Sequence, residues 1–252
     1  MLYIVGIGPG NKEYFTEQAE KVLKNVDLIV CYKGYEKYIK RFNKETYTTG
    51  MKKEMERVKY ALNESKCKNV ALVSSGDATI YGMASLAYEL ASKYNLSIPI
   101  NVVSGLTSAS VCSAILGAPL NHDFAVISLS DLLTPLEVIL NRVKHALEGD
   151  FVLAIYNPLS KSRKEPFLKT LDLINEYGYK RGINYIVGIV KNAGRDSEEY
   201  RITNIADIIN NLEEYMEYID MNTTIIVGNS NTKIIFDKII TPRGYLNKYK
   251  ED

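Results

Sequence analysis

Three short polar segments in the first half of the chain have residue types suited to binding a small ligand. They are Gly6–Gly10 (GIGPG), Ser74–Gly82 (SSGDATIYG) and Ser104–Ser110 (SGLTSAS), and each follows a predicted strand. If these strands lie side by side in a parallel sheet, their carboxyl ends share one edge, which is where open α/β sheets bind ligands. The segments offer backbone amides, hydroxyl groups and the carboxylate of Asp77. The sequence therefore predicts a binding crevice formed by three turns.

This donor set indicates the class of ligand. The three segments contain no cluster of lysine or arginine, so they suit adenosine-like hydrogen-bonding groups better than a polyphosphate. S-adenosylmethionine fits, because its ribose requires carboxylate or amide partners and its sulfonium is stabilised by oxygen dipoles. Asp77 could instead be an acid at a helix N-terminus or a turn-forming residue.

The glycine segment alone matches no nucleotide-binding motif. GxGxxG would require glycine at position 11, where the chain has Asn11, and the Walker A pattern GxxxxGK[ST] is absent there. Pro9 also removes one N–H group that could hold a phosphate. The segment is equally compatible with a ligand loop and with a tight structural turn.

A second set of candidate residues surrounds the predicted strand Phe124–Leu129. Ser130 and Asp131 follow this strand, and His122 precedes it. A hydroxyl, a carboxylate and an imidazole can all transfer protons during catalysis, although a histidine in this position is often a structural hydrogen-bond partner. The sequence shows no Ser-His-Asp order, paired catalytic carboxylates or HExxH motif, and methyl transfer requires none of them.

Two basic residues follow other strands and could bind an acidic substrate. Arg195 lies in the polar turn Lys191–Asp196 after the predicted strand Tyr185–Val190, and could hold a carboxylate through two hydrogen bonds. Lys33 follows the second strand of the chain. Each could equally be a solvated surface residue.

The elements that position these residues predict an α/β fold with two α/β domains, at residues 1–118 and 119–252. Strands alternate with helical segments in the first domain, which indicates a mainly parallel sheet with both faces covered. In the second domain, Glu198–Thr203 alternates polar and apolar residues, as an antiparallel strand with one wet face does. We therefore predict a mixed sheet there and a cofactor cleft between the domains.

Composition excludes several classes of function. With 31 basic and 30 acidic residues, the chain lacks the basic excess of a nucleic-acid-binding protein. No apolar run approaches the ~20 residues that span a membrane, and the first residues lack the basic region of a signal peptide. The three cysteines, Cys31, Cys67 and Cys112, have no metal-ligand spacing. We expect reduced thiols, no bound metal and a cytoplasmic location.

Three motifs carry a resemblance to a known family. They are HDFAVISLSDLLTP (residues 122–135), FVLAIYNPLS (151–160) and GIVKNAGR (188–195). In these motifs the chain resembles the tetrapyrrole methyltransferases of the cobalamin pathway, and the resemblance extends over nearly the whole chain. The second turn of that family often reads GDP, whereas Ala78 follows Asp77 here. The assignment of the loop is unaffected, but its exact shape does not follow from the resemblance.

The resemblance implies a set of cofactor-binding residues. Those of the first domain would be Pro9, Gly76, Asp77, Ile80, Thr107 and Ser108, and those of the second would be Tyr156, Asn157, Asn192, Thr224 and Ile225.

The resemblance also implies an activity. It would be methyl transfer from S-adenosylmethionine to C-17 of precorrin-3B or cobalt-factor III, coupled to contraction of the ring, in a homodimer. Ser130, Asp131 and His122 would be the candidate proton-transfer groups, and Lys33 and Arg195 would hold acidic arms of the substrate. Two alternatives stay open: a sister tetrapyrrole or diphthine methyltransferase of the same fold, and a nucleotide-binding regulatory module.

Overall fold

The computed structural model of the chain describes residues 1–249, which form two compact units. The first unit contains Met1–Ser108 together with Gly194–Asp196. The second contains Ala109–Ala193 and the described residues from Ser197 onward. The domain boundary at residues 118 and 119 stays a prediction.

The first unit is built on a five-stranded parallel sheet. Its strands are β1 (Leu2–Gly6), β2 (Leu28–Tyr32), β3 (Glu45–Thr49), β4 (Val70–Ser74) and β5 (Ile100–Val103), and its helices are α1 (Glu17–Asn25), α2 (Glu36–Ile39), α3 (Glu54–Glu64) and α4 (Ala84–Lys93). Three short 3-10 helices occupy Lys12–Tyr14, Lys33–Tyr35 and Lys40–Phe42. The strand order is β3-β2-β4-β1-β5, with every neighbouring pair parallel. The predicted parallel sheet is confirmed.

Helices cover both faces of this sheet, which explains its continuous apolar strands. Ile4 and Leu72 point to one face and share a buried cluster with residues of α3 and α4. Val5 and Val73, one residue further along each strand, point to the other face and pack with residues of α1. The hydroxyl of Thr16 caps α1, since it accepts a hydrogen bond from the Ala19 N–H at 3.1 Å.

The second unit contains a mixed sheet and a smaller one. Its strands are β6 (Gly117–Ala118), β7 (Phe124–Ser128), β8 (Val152–Tyr156), β9 (Ile186–Lys191), β10 (Glu199–Asn204), β11 (Thr223–Val227), β12 (Lys233–Ile235) and β13 (Lys238–Ile240). Its helices are α5 (Ser108–Leu116, in this unit from Ala109 on), α6 (Leu136–Glu148), α7 (Glu165–Arg181), α8 (Ile205–Asn210), α9 (Leu212–Tyr218) and α10 (Tyr245–Lys248).

The main sheet of the second unit has the order β10-β9-β11-β8-β7. Strands β7 and β8 are parallel, whereas β11 is antiparallel to both of its neighbours and β10 is antiparallel to β9. The predicted mixed sheet and its antiparallel strand are therefore confirmed. A large buried cluster lies on one face, where residues of α6, α7, α8 and α9 pack against the strands.

The carboxylate of Asp207, on α8, makes part of this unit's stability dependent on pH. It accepts hydrogen bonds from the hydroxyls of Thr203 and Tyr215, both at 2.5 Å. These bonds, the one from Thr203 first, hold the pKa of Asp207 below its ordinary value. The stabilisation is therefore complete above the ordinary pKa of about 4 and disappears as the pH falls through the lowered value.

We expect Asp207→Asn to lower the free energy of unfolding at pH 7, because the amide is a weaker acceptor than the carboxylate. The difference from the parent protein should shrink as the pH approaches 3. Urea unfolding at a series of pH values measures this, with Asp172→Asn, which changes an exposed carboxylate on α7, as the control. A difference that stayed constant with pH would contradict the assignment.

Candidate active site

The turns after β1 and β4 are joined through their backbones at the carboxyl edge of the first sheet. The N–H of Gly8 donates to the carbonyl of Gly76 at 3.1 Å, and the N–H of Gly76 donates to the carbonyl of Gly8 at 2.8 Å. Gly76 has a φ of +64°, which glycine adopts without strain. Two of the three segments predicted from the sequence are therefore held side by side by a pair of backbone hydrogen bonds.

Asp77 ties the third segment to the other two. One carboxylate oxygen accepts from the Thr79 N–H at 2.7 Å, and the other accepts from the Gly105 N–H at 3.0 Å, in the turn after β5. Burial alone would raise the pKa of Asp77, but hydrogen bonds from Thr79, Gly105 and Ile80 together lower it. Asp77 is only 8% exposed. It therefore holds the turns together, and its contact with a ribose stays a prediction.

The close approach of these turns requires glycine at two positions. A Cβ atom on Gly105 would lie 2.2 Å from the carbonyl oxygen of Gly76, and one on Gly6 would lie 2.7 Å from the same oxygen. Any larger side chain would separate the three segments. Gly6, from the segment predicted as either a ligand loop or a tight turn, and Gly105 therefore let the segments approach one another.

Arg195 lies against the glycine segment within the first unit. Its Nε donates to the carbonyl of Pro9 at 3.1 Å, and the neighbouring Gly194 carbonyl accepts from the Asn11 N–H at 2.8 Å. The guanidinium group is thus partly engaged by the protein. Lys33 is exposed, in the 3-10 helix after β2. The binding of substrate by either residue stays a prediction.

The remaining predicted residues of the first unit also follow its strands. Ile80, 36% exposed, lies in the segment after β4. Thr107 and Ser108 are half-buried and end the segment after β5. The edge therefore presents amides, carbonyls and hydroxyl groups, which is the donor set predicted for an adenosine-like ligand.

A second polar edge is formed within the second unit. Strands β8 and β9 run in the same direction because both are antiparallel to β11, and β7 is parallel to β8. The carboxyl ends of these three strands therefore meet the start of β11. This arrangement brings four predicted residues to one edge: Tyr156, Asn157, Asn192 and Thr224. Ile225, the next residue of β11, is buried.

Local hydrogen bonds fix the residues that end β8. The hydroxyl of Tyr156 accepts from the Ala109 N–H in the first turn of α5 at 2.9 Å. Asn157 adopts the left-handed conformation, with a φ of +50°, and its Nδ2 donates to the hydroxyl of Ser128 at 3.0 Å. Asparagine tolerates this conformation better than most residues do. The polar groups at this edge are therefore held in defined positions.

Arg163 brings the loops after β7 and β8 together. Its Nη2 donates to the carbonyl of Asn157 at 3.1 Å, and its Nη1 lies 3.5 Å from the hydroxyl of Ser130. Its Nε is 3.5 Å from a carboxylate oxygen of Asp131. Arg163 was not predicted as a site residue, because it lies in a polar loop, KSRKE, that looks like any solvated turn.

The structure does not bring His122 together with Ser130 and Asp131. His122 is exposed and precedes β7, and its Nδ1 accepts from the adjacent Asp123 N–H at 2.8 Å. Ser130 and Asp131 follow the same strand, whose five residues span about 13 Å. His122 therefore lies where β7 begins, and Ser130 and Asp131 lie beyond the opposite end of the strand.

Comparison with known proteins assigns the family. The model of the family described as Tetrapyrrole (Corrin/Porphyrin) Methylases matches residues 1–209. The chain belongs to this family. It is therefore a methyltransferase, and the resemblance inferred from the three motifs is confirmed.

Two relatives of this methylase match it over nearly its whole length. A probable cobalt-factor III C(17)-methyltransferase of Methanocaldococcus jannaschii is 63% identical over 250 residues, which is 99% of this chain and 100% of that protein. One of the same name in Salmonella typhimurium is 42% identical, covering 97% and 99% of the two chains.

Solved structures agree with the fold of this methylase. The crystal structure of the methyltransferase CobJ has a TM-score of 0.88 and 30% identity, and the match covers 96% of this chain and 99% of that one. Uroporphyrin-III C-methyl transferase from Thermus thermophilus, solved with S-adenyl homocysteine, has a TM-score of 0.68 and 19% identity over 90% of this chain and 96% of that one. The second likeness concerns the fold alone.

The described residues 1–249 of the methylase also bear on a metal site and on a membrane-spanning helix. Within this range, His, Cys, Asp and Glu side chains form no group of three or more that could hold a metal ion. None of the helices in the same range has the length and apolar character needed to cross a membrane.

Proposed function

We propose that this methyltransferase transfers a methyl group from S-adenosylmethionine to C-17 of cobalt-factor III, with contraction of the macrocycle, in cobalamin biosynthesis. The observation that carries the proposal is the 63% identity, over the whole length of both chains, to the Methanocaldococcus jannaschii protein of that name. The name of the Salmonella typhimurium relative supports the cobalt-containing substrate over precorrin-3B.

The turns of the first unit are the proposed cofactor site. Their backbone amides and carbonyls, with the hydroxyls of Thr107 and Ser108, would bind the adenosine and amino-acid portions through neutral hydrogen bonds. The cofactor supplies a methyl group that its sulfonium already activates. The protein's contribution is then to align this group with the accepting carbon and to exclude water. The sequence shows no hydrolytic catalytic motif, which agrees with such a reaction.

The second unit offers the proposed groups for proton transfer. Ring contraction moves electrons through the macrocycle and requires proton transfers at defined atoms. Asp131 has a side chain that is 34% exposed, so a large planar substrate can reach it, and Ser130 is the adjacent hydroxyl. We place the acid–base function on these two residues and exclude His122 from it, because His122 lies at the opposite edge of the sheet.

The test of the function is the identity of the product. Purified protein is incubated with S-adenosylmethionine carrying a ¹³C-labelled methyl group and with either cobalt-factor III or cobalt-free precorrin-3B. We expect one labelled methyl group at C-17 of a contracted ring, detected by mass spectrometry and NMR, and formed faster from the cobalt-containing substrate. A label on another carbon would identify a sister methyltransferase, and binding of the cofactor without turnover would favour the regulatory module.

A homodimer and a cytoplasmic location complete the proposal. Sedimentation at micromolar concentration should give twice the chain mass of 28.4 kDa, and a monomer would contradict the dimer.

A further inference from the structure

The guanidinium group of Arg163 is largely buried, whereas that of a typical surface arginine is exposed to water. Its side chain is only 10% exposed, although the flanking Ser162 and Lys164 are exposed. Burial of a charged group is unfavourable unless hydrogen bonds and an opposite charge compensate for the lost water. The contacts of Arg163 therefore show whether this compensation is complete.

The protein provides hydrogen-bond acceptors for only some of the N–H groups of this guanidinium. Its one short hydrogen bond to oxygen joins Nη2 to the carbonyl of Asn157, and Nη2 also contacts the sulfur of Met221 at 3.3 Å, which is a weak acceptor. The Nε atom is fully buried and has no hydrogen-bond partner among the described residues. Asp131 approaches Nε to 3.5 Å, close enough for an ion pair but without hydrogen-bond geometry.

The unpartnered Nε–H of the guanidinium suits a carboxylate. Nε and Nη2 carry parallel N–H groups, so a carboxylate in the side-on arrangement that arginine favours would accept from Nε and share Nη2 with the carbonyl of Asn157. Asp131 lies beside Nε without forming a hydrogen bond to it, and its partly exposed side chain can move away. Macrocycles of this pathway carry acetate and propionate arms, so the proposed substrate supplies such a group.

We propose that Arg163 binds one carboxylate arm of the tetrapyrrole substrate, which replaces Asp131 at the Nε edge of the guanidinium. Arg163 would then determine both the affinity and the orientation of the macrocycle at the edge formed by β7 and β8. The exchange would also release the Asp131 carboxylate close to the bound ring. This inference rests on the proposed function, since the substrate class comes from it.

Arg163 is better suited to this role than the two basic residues predicted from the sequence. Lys33 is exposed, so its ammonium group keeps its water and gains little from an ion pair. The Nε of Arg195 already donates to the carbonyl of Pro9 at 3.1 Å. Of the three, only Arg163 combines burial with an unpartnered donor.

The test compares acidic and esterified substrate. Dissociation constants are measured for cobalt-factor III and for its separated mono-methyl esters, with the parent protein, Arg163→Gln and Arg163→Lys. We expect Arg163→Gln to weaken binding of the free acid by about 10- to 100-fold, as loss of a charge-assisted hydrogen bond does. One ester isomer should bind the parent protein correspondingly weakly, and Arg163→Gln should not distinguish that ester from the acid. Arg163→Lys should restore part of the affinity.

Arg181→Lys is the matched control. Arg181 also lies 3.5 Å from an aspartate, Asp150, but this pair is located where β8 begins, at the opposite end of the strand from Arg163. The Arg181→Lys variant should bind the acid and all esters as the parent protein does. S-adenosylhomocysteine binding and thermal unfolding of each variant show whether it is folded, and the ester series on the parent protein needs no variant at all.

Equal affinity of the parent protein for the acid and every ester would overturn the inference, as would an unchanged affinity of Arg163→Gln. If the parent protein still methylates C-17 in either case, the proposed function stands and only the role of Arg163 is rejected. A parent protein that fails to methylate cobalt-factor III rejects the proposed function, and the inference with it.

Discussion

Replacing Gly105 with alanine should remove detectable binding of S-adenosylhomocysteine and lower the stability of the protein. The added Cβ atom would lie 2.2 Å from the carbonyl oxygen of Gly76 and 2.7 Å from the carbonyl carbon of Gly6. Both are backbone atoms, so they cannot turn aside as the end of a flexible side chain can. The turn after β5 must therefore move away from the turns after β1 and β4.

This movement breaks the hydrogen bond from the Gly105 N–H to Asp77, which joins the three turns. We expect a loss of about 1–3 kcal/mol in the free energy of unfolding, as for other overpacked positions, and no measurable heat of binding in titration calorimetry. Gly50→Ala is the control, because a Cβ on Gly50 would have no neighbour within 4 Å. Retention of full affinity by Gly105→Ala would show that the cofactor does not bind at these turns.

The parallel sheet of the first unit was predictable because its central strands are buried on both faces. Residues 70–73 read VALV, and helical periodicity on either side separates this run from its neighbours. Strand β3 was not predicted, because its sequence ETYTT is polar and its first two residues are exposed. It lies at an edge of the sheet, where one side lacks a neighbouring strand to impose an apolar pattern.

The location of the candidate site was also predictable, but its internal bonding was not. The sequence places polar turns after the right strands, since a turn is a local property. Whether Asp77 faces a ligand or the N–H of Gly105 depends on contacts between distant segments. The burial of Arg163 is of the same kind, because its Nη2 lies against Met221, which is 58 residues away in the sequence.

Closeness in sequence also suggested a grouping that the structure does not show. His122 and Asp131 belong to one short motif, yet the extended strand β7 separates them. An extended strand rises about 3.3 Å per residue, so β7 carries the chain from one end of the sheet's strands to the other. The distribution of the proton-transfer groups therefore depends on the secondary structure between them.

Asp131→Asn should slow formation of the contracted product by about 10²- to 10⁴-fold, which is the usual contribution of a positioned acid–base group. The amide of asparagine matches the carboxylate in size, so the loop after β7 should keep its shape. Unlike the carboxylate, the amide cannot accept a proton at neutral pH. The rate is measured in single turnovers with saturating substrate, which separates the chemical step from binding. Methyl transfer and ring contraction are followed separately by mass spectrometry and NMR, to show which step needs the carboxylate.

His122→Ala provides the comparison in the same motif. Its side chain is exposed where β7 begins, and its Nδ1 lies 2.8 Å from the backbone nitrogen and 3.4 Å from a carboxylate oxygen of the neighbouring Asp123. We therefore expect this variant to form the contracted product at the parent rate. If Asp131→Asn also kept the parent rate in both steps, proton transfer would have to come from elsewhere, although the methyltransferase activity would stand. A large loss in His122→Ala alone would instead move the acid–base function to the edge where β7 begins.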